Sequence, residues 1–355
     1  MIGITLVNIG LIAMYKFPLW HWHIENSSIC SLRCPRCPRA EIPDTLVQTS
    51  LGLDFFKKNF NPEFMQDVWQ ISFCGDDGDP IYGKEFLEVV EYLKTTKPNL
   101  SLRIVTNGSF RNESWWKKLS HNLNQYDEIH FSLDGWDQES NEKYRVNSDW
   151  DSITTAIKTV RENSNIIMTW AAIAFKFNQY DIITMKDLAV KWNFDIFQLT
   201  YSTKFGSKYP NYNTDGKDEL EPNSQFIAKG HRFSREITNL TDRKILDNGK
   251  NQINLDLYQN INNVNDIIPL CKIGNKGLYI SSEGYFYPCC WMANRYNHTR
   301  WQEFRQPQYN LNKRNISDIL GDEMWDNFFN NLNNYDECKN KCCSQNFNEG
   351  YATSW

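Results

Sequence analysis

Three cysteines fall within eight residues at Cys30-Ser-Leu-Arg-Cys34-Pro-Arg-Cys37, and this stretch limits what the chain can build more than any other. Thiols so close on one short loop can converge on a metal centre, but they cannot by themselves complete a tetrahedral zinc site. If three thiolates each hold one iron of a 4Fe-4S cluster, the fourth iron is left to a non-protein ligand, and an open metal position serves chemistry rather than scaffolding. Two other readings stay open on the residues alone. One is a zinc knuckle completed by His21 or His23, and the other is a disulfide cluster.

Residues 19–25 alternate large and polar side chains and run directly into the cysteine loop, which predicts a first strand with the loop at its C-terminal end. After weak helical signals over 49–66, a second strand is predicted at 68–74 and is stopped by Gly75-Asp-Asp-Gly78-Asp-Pro80. Phe86, Val89, Val90 and Leu93 then recur at helical spacing. A strand at 100–106 ends in Asn107-Gly108, a helix covers 113–121, and a strand at 128–133 ends in Asp134-Gly135. The alternation continues with a helix at 152–161, a strand at 166–174, a helix at 183–191 and a strand at 196–200. Strands alternating with helices predict a parallel sheet with right-handed crossovers. The marked residues fall at strand C-terminal ends, where barrels of this type place active sites.

Beyond Thr200 the rhythm stops, and 201–265 is read as a connector with a sixth barrel helix at 224–237. A second cysteine group follows: Cys271, Cys289-Cys290, Cys338 and Cys342-Cys343. Between them a β-hairpin is predicted around Ser282-Glu283-Gly284, and a helix at 322–332. The 355-residue length suggests two domains, divided as 1–240 and 241–355, and 41% hydrophobic residues with 14% aromatics predict a packed protein. Thirty-eight basic against 43 acidic residues give a net charge of -5 without a long basic run, which argues against a dedicated nucleic-acid binder. The cysteines lie in two distant groups with only Cys74 isolated, a metal-site grouping rather than a secreted disulfide framework. Residues 1–15 are apolar but too short to span a bilayer and lack a basic leader region, so they are read as a buried strand or helix, without a membrane partner, in a cytoplasmic protein.

The spacing Cys-x3-Cys-x2-Cys resembles the signature of the radical S-adenosylmethionine (SAM) superfamily, and further motifs follow in that family's order. Phe73-Cys-Gly-Asp-Asp-Gly78-Asp79-Pro80 resembles its Gly-Gly-Glu-Pro type turn, which implies that Gly78 and Asp79 receive the methionine ammonium. Thr106-Asn107-Gly108 and Phe131-Ser-Leu-Asp134-Gly135 resemble the motifs after the third and fourth strands, implying contacts to the ribose hydroxyls or the methionine carboxylate. Tyr144-Arg145 matches the position of an arginine suited to bidentate pairing with a carboxylate. One position departs from the pattern: Arg36 stands where the family carries an aromatic residue near the adenine. Its guanidinium is expected either to stack on the ring or to point to solvent.

Cys271, twelve residues, Gly284, four residues and Cys289, followed by Cys338-x3-Cys342, resembles the SPASM and twitch extensions that hold auxiliary iron-sulfur clusters. Six cysteines imply one four-cysteine cluster, on Cys271, Cys289, Cys338 and Cys342, with Cys290 and Cys343 left over. A structural zinc site suits four thiolates equally by geometry alone. The resemblance as a whole implies an α/β fold, a partial (β/α)6 TIM-type barrel with a C-terminal cysteine-rich twitch-like extension. It implies an enzyme that cleaves SAM reductively at a 4Fe-4S cluster on Cys30, Cys34 and Cys37 and abstracts hydrogen from a peptide or small molecule. The auxiliary iron-sulfur cluster would assist, and a flavodoxin or ferredoxin would supply electrons. The alternative is a non-catalytic iron-sulfur or zinc protein that carries electrons or binds a partner.

Overall fold

Six short strands lie side by side in chain order, each parallel to the next: β1 His21–Ile24, β2 Gln70–Phe73, β3 Ser101–Thr106, β4 Glu128–Ser132, β5 Ile167–Ile173 and β6 Ile196–Tyr201. This is a computed structural model, and it describes residues 17–41, 46–206, 213–214, 217–229, 234–244, 267–273, 278–293 and 302–342. The expected N-terminal element at 1–15, most of the connector between 245 and 265, and Cys343 lie outside the described residues.

Period-two alternation sorts the strands into two faces. Ile71 and Phe73, Leu102 and Ile104, Ile129 and Phe131, and Met168 and Trp170 enter one buried apolar core. Helices Phe86–Thr96, Glu113–Asn122, Trp150–Asn163 and Ile182–Lys191 pack on that face. Each presents its apolar stripe, as Phe86, Val89, Val90 and Leu93 do in the first of them. Two of these helices start on side-chain caps, Asn112 accepting from the Trp115 N–H and Asp149 from the Ser152 N–H, worth about 1 kcal/mol each. The intervening residues Ser72, Arg103, Val105, His130, Ser132 and Ala171 line a cavity on the other face. A closed barrel fills this space with branched apolar side chains; here the sheet stays open, and the inner face carries His23, Arg103 and His130 among apolar residues.

Three sequence expectations are corrected. The sixth helix at 224–237 is instead one 3-10 turn, Ser224–Phe226, followed by strand β9, Ser234–Asn239. β9 runs antiparallel to β6 and satisfies its outer edge, a pairing that no local pattern announces. In the connector, β7 Asn213–Thr214 and β8 Lys217–Asp218 form a small separate ribbon. The weak helix at 49–66 shrinks to Leu53–Asn59 plus a 3-10 turn at Phe64–Asp67, while the helix expected at 322–332 is present as Met324–Asn330, with a separate helix Ile316–Gly321 before it.

The expected hairpin is present as β10 Leu278–Ile280 and β11 Phe286–Tyr287, with Gly284 at φ 84° in the turn. β10 also pairs in parallel with β1, Trp22 opposite Leu278 and Ile24 opposite Ile280. The cysteine-rich region therefore extends the barrel sheet, which runs β11-β10-β1-β2-β3-β4-β5-β6-β9. Aromatic packing backs this junction: Phe17 meets Trp325 at 4.9 Å and Phe286 at 5.6 Å, and Phe286 meets Trp325 at 5.4 Å. Among the described residues no helix is long and apolar enough to cross a membrane.

Candidate active site

β1 delivers the cysteine loop to the C-terminal edge of the sheet. The loop is held by its own turn, Cys37 N–H to Cys34 carbonyl at 3.1 Å, and by its neighbours. Arg33 N–H reaches the Val146 carbonyl at 3.0 Å, and the Asn147 amide reaches the Ser31 carbonyl at 2.7 Å. Cys30, Cys34 and Cys37 pack against one small apolar group formed by Leu32, Tyr144, Phe175 and Phe205. Tyr144 and Phe175 lie 4.2 Å apart. Burial, and secondarily the Asp79 carboxylate, pushes the Cys30 thiol up to about 12. Burial pushes Cys37 up to about 11 and raises Cys34, against the pull of Arg145.

The expected cofactor residues converge on this loop. Asp79 is buried, and its carboxylate accepts from Thr106 Oγ1 at 2.9 Å, the Asn107 backbone N–H at 2.6 Å, the Asn107 side-chain amide at 2.5 Å and the Ile81 N–H at 3.2 Å. Asn107 Nδ2 also stands 3.6 Å from Cys30 Sγ. Burial raises Asp79 to about 6 even though these donors favour its ionised form. Its carboxylate thus ties the ends of β2 and β3 together and is already occupied by donors of its own chain. Gly78 is pressed against the chain before the loop; a Cβ there would overlap the Ser27 carbonyl.

Arg145 Nε donates to Asp134 Oδ2 at 2.6 Å, while its Nη1 reaches to 4.0 Å from Cys34 Sγ. Asp134 is fixed on its other oxygen by the Ile173 N–H at 2.7 Å. Burial raises Asp134, and Arg145 opposes the rise. Arg36 is buried and does not point to solvent. Its guanidinium pairs with the buried Asp218 of β8, which also accepts the Gly206 N–H at 3.1 Å. The apolar cover over the thiols comes instead from Tyr144, Phe175 and Phe205, residues distant in sequence that local spacing could not single out.

A cavity of about 290 Å³ runs along the inner face, and Arg145, His23, Arg103, His130 and Arg235 line it together with Cys289. Glu128 accepts from both Arg103 and His130. The sequence offered a signal for this lining, since Arg103 and Val105, and His130 and Ser132, alternate with core residues. His21 and His23 belong to it as well, their rings bonded to Ser72 Oγ at 3.0 Å and the Cys74 carbonyl at 2.5 Å.

Cys271, Cys289, Cys338 and Cys342 gather at the far wall. Burial and then the charges of the other three raise Cys271; burial and Cys342 push Cys289 up to about 12; burial and Cys289 raise Cys338. The Cys342 N–H donates to the Cys338 carbonyl at 2.9 Å. Cys290 lines the cavity beside Cys289, with Trp291.

All nine described cysteines are free thiols, so the disulfide reading has no support among them. No group of three or more His, Cys, Asp or Glu side chains among the described residues is arranged to hold a single metal ion, so neither zinc site is assembled. A cubane takes one thiolate per iron, which sets its ligands further apart than those of one ion. The thiols of Cys30, Cys34, Cys37, Cys271, Cys289 and Cys338, each raised by burial, fit such clusters, because iron supplies the positive charge that desolvated thiolates need.

Residues 24–174 match the family model described as Radical SAM superfamily. No curated protein matches the chain. Among solved structures, the chain is similar to Streptococcus suis SuiB bound to S-adenosylmethionine, with a TM-score of 0.56 and 15% identity over 89% of this chain and 68% of that one. SuiB bound to precursor peptide SuiA gives 0.56 and 17% over 89% and 67%. Native anSMEcpe with bound AdoMet and Cp18Cys peptide gives 0.51 and 14% over 92% and 90%. At these identities the structures establish a shared fold. The family match covers the cysteine loop and every expected cofactor residue from Gly78 to Arg145, so residues 24–174 are similar to the radical SAM superfamily, and the chain shares the fold of the solved structures.

Proposed function

We propose that this protein is a radical SAM enzyme that modifies a peptide. Cys30, Cys34 and Cys37 would hold a 4Fe-4S cluster, which would supply the electron for reductive cleavage of SAM and so start hydrogen abstraction from the substrate. The observation that carries this reading is the approach of Asn107 to Cys30 and of Arg145 to Cys34, with Arg145 also lining the inner cavity. Asp79 and Asp134 act as positioning residues: the first orients Thr106 and Asn107, and the second holds Arg145 with its outer nitrogens toward Cys34. The apolar group of Tyr144, Phe175 and Phe205 excludes water from the thiols.

In this reading residues 1–240 carry the SAM site, and 241–355 carry an auxiliary iron-sulfur cluster on Cys271, Cys289, Cys338 and Cys342. Cys289 lines the cavity, so that cluster would accept an electron from, or orient, the substrate held there. A peptide is preferred to a small molecule because SuiB and anSMEcpe are seen with peptides. A flavodoxin or ferredoxin in the cytoplasm would supply the electron.

The test is anaerobic reconstitution, quantitation of iron and sulfide, reduction with dithionite and chromatography for 5'-deoxyadenosine. Its formation supports the reading. A protein that holds its cluster and never forms it is an electron carrier instead. Incubation with host extract, followed by mass spectrometry for peptides that lose hydrogen, then identifies the substrate.

A further inference from the structure

The turn after β2 is gripped from behind by a residue that the proposed reaction does not use. Glu25 directly follows β1 and is buried, and its Oε1 accepts the backbone N–H groups of Asp77 at 2.5 Å and Gly78 at 3.1 Å. Its Oε2 accepts the hydroxyl of Tyr279 at 2.8 Å. Tyr279 belongs to β10, in the C-terminal cysteine-rich region, and its ring packs edge-on against His23 at 5.0 Å and Tyr287 at 6.0 Å. A cavity of about 20 Å³, lined by Glu25, Asp76, Asp77 and Tyr279, marks this rear side of the turn. The fit is close: a Cβ at Gly75 would stand 2.6 Å from Glu25 Oε1.

Peptide planarity gives the grip a consequence. In a trans peptide the N–H of one residue and the C=O of the residue before it point in opposite directions, and the described chain has no cis peptide. Fixing the Asp77 and Gly78 N–H groups on Glu25 therefore turns the Asp76 and Asp77 carbonyls to the opposite side of the turn. The Asp76 carbonyl does face the cysteine loop, 3.9 Å from Cys37 Sγ. Carbonyls aimed there suit a methionine ammonium, whereas the Asp79 carboxylate is taken up by Ile81, Thr106 and Asn107.

We propose that Glu25, held by Tyr279, is a positioning residue that aims the Asp76 and Asp77 carbonyls at the ammonium of SAM, so that the C-terminal region sets the barrel's affinity for its cofactor. This rests on the radical SAM reading given above. Burial, Asp77 and Asp76 raise the Glu25 carboxyl well above the usual range, and Oε1 can accept the two N–H groups in either protonation state. Glutamine is therefore the conservative replacement.

Labelled SAM is equilibrated by dialysis with reconstituted full-length wild type, Tyr279→Phe, Glu25→Gln and Glu25→Ala. The dissociation constant is expected to rise about tenfold for Tyr279→Phe and about a hundredfold for Glu25→Ala, with Glu25→Gln within about threefold of wild type. Iron content and kcat at saturating SAM should hold in all three. In metal-free protein, amide hydrogen exchange in the segment containing Asp77 and Gly78 should quicken in the same order. Unchanged affinity in Tyr279→Phe and Glu25→Ala overturns the inference, as does a fall in kcat and iron with affinity intact. A wild type that binds no SAM overturns the radical SAM reading and this inference with it; a wild type that binds SAM no better than the variants overturns the inference alone.

Discussion

The two cysteine groups differ in how they are built and in what surrounds them. Cys30, Cys34 and Cys37 share one loop after β1 and are ringed by groups from other strand ends: Asn107 at Cys30, Arg145 at Cys34, and the Asp76 carbonyl at Cys37. Cys271, Cys289, Cys338 and Cys342 come from three separate segments, and the influences on Cys271 are burial and the other thiols. The first group is short of one ligand and rich in polar neighbours suited to an amino acid. The second has a full set of four. On the proposed reading the first would be an open centre and the second a closed one, and each can be tested against the other.

The largest expected contrast comes from removing one thiol at each centre. Cys34→Ala should lower the iron content by about four per chain and reduce 5'-deoxyadenosine to background. Cys271→Ala should lower iron by a similar amount while 5'-deoxyadenosine formation under dithionite stays within about tenfold of wild type. Equal collapse in both variants, measured by iron assay and chromatography, would break the distinction between them.

A smaller effect tests how the open centre's loop is anchored. Arg36→Ala leaves the buried Asp218 without its guanidinium, and about 3–5 kcal/mol of stability should be lost in urea titrations of the metal-free protein. An Arg36→Ala variant as stable as wild type would show that the loop does not depend on β8. The smallest effect concerns pH. Burial raises Asp79 to about 6, above its ordinary value, so the folded state holds its proton more tightly than the unfolded one. The resulting stability is fully present below about pH 4 and is lost as pH rises through about 6, a change of roughly 2–3 kcal/mol. Asp79→Asn should remove that slope from metal-free melting curves measured between pH 4 and 7, whereas Cys271→Ala should leave it in place.

Much of the open centre could be read from residue order, because each marked residue ends a strand whose alternation is local. Asp79, Asn107 and Asp134 all reached the cysteine loop. What residue order could not supply were contacts made across the chain: the pairing of Arg36 with Asp218, the cover from Phe175 and Phe205, and the Tyr279 hydroxyl on Glu25. β9 was hidden for the same reason. Residue order reads 234–237 as the end of a sixth barrel helix, whereas the edge of β6 decides their conformation. Asp79 and Arg145 also bond to side chains of their own chain, Thr106 and Asp134, partners that residue order does not show. Pattern locates such residues, and only geometry says which of their atoms are occupied.

The pairing of β10 with β1 also bears on the order in which the protein can be made. β1 presents the cysteine loop, yet one of its two edges is satisfied by residues from the last third of the sequence. During synthesis the strand therefore emerges with β2 as its only partner among the described strands until the hairpin arrives. Such distant pairings form late and slowly. The thiol loop would thus spend much of the growth of the chain beside an unfinished edge, which favours loading of any iron only after β10 has paired with β1.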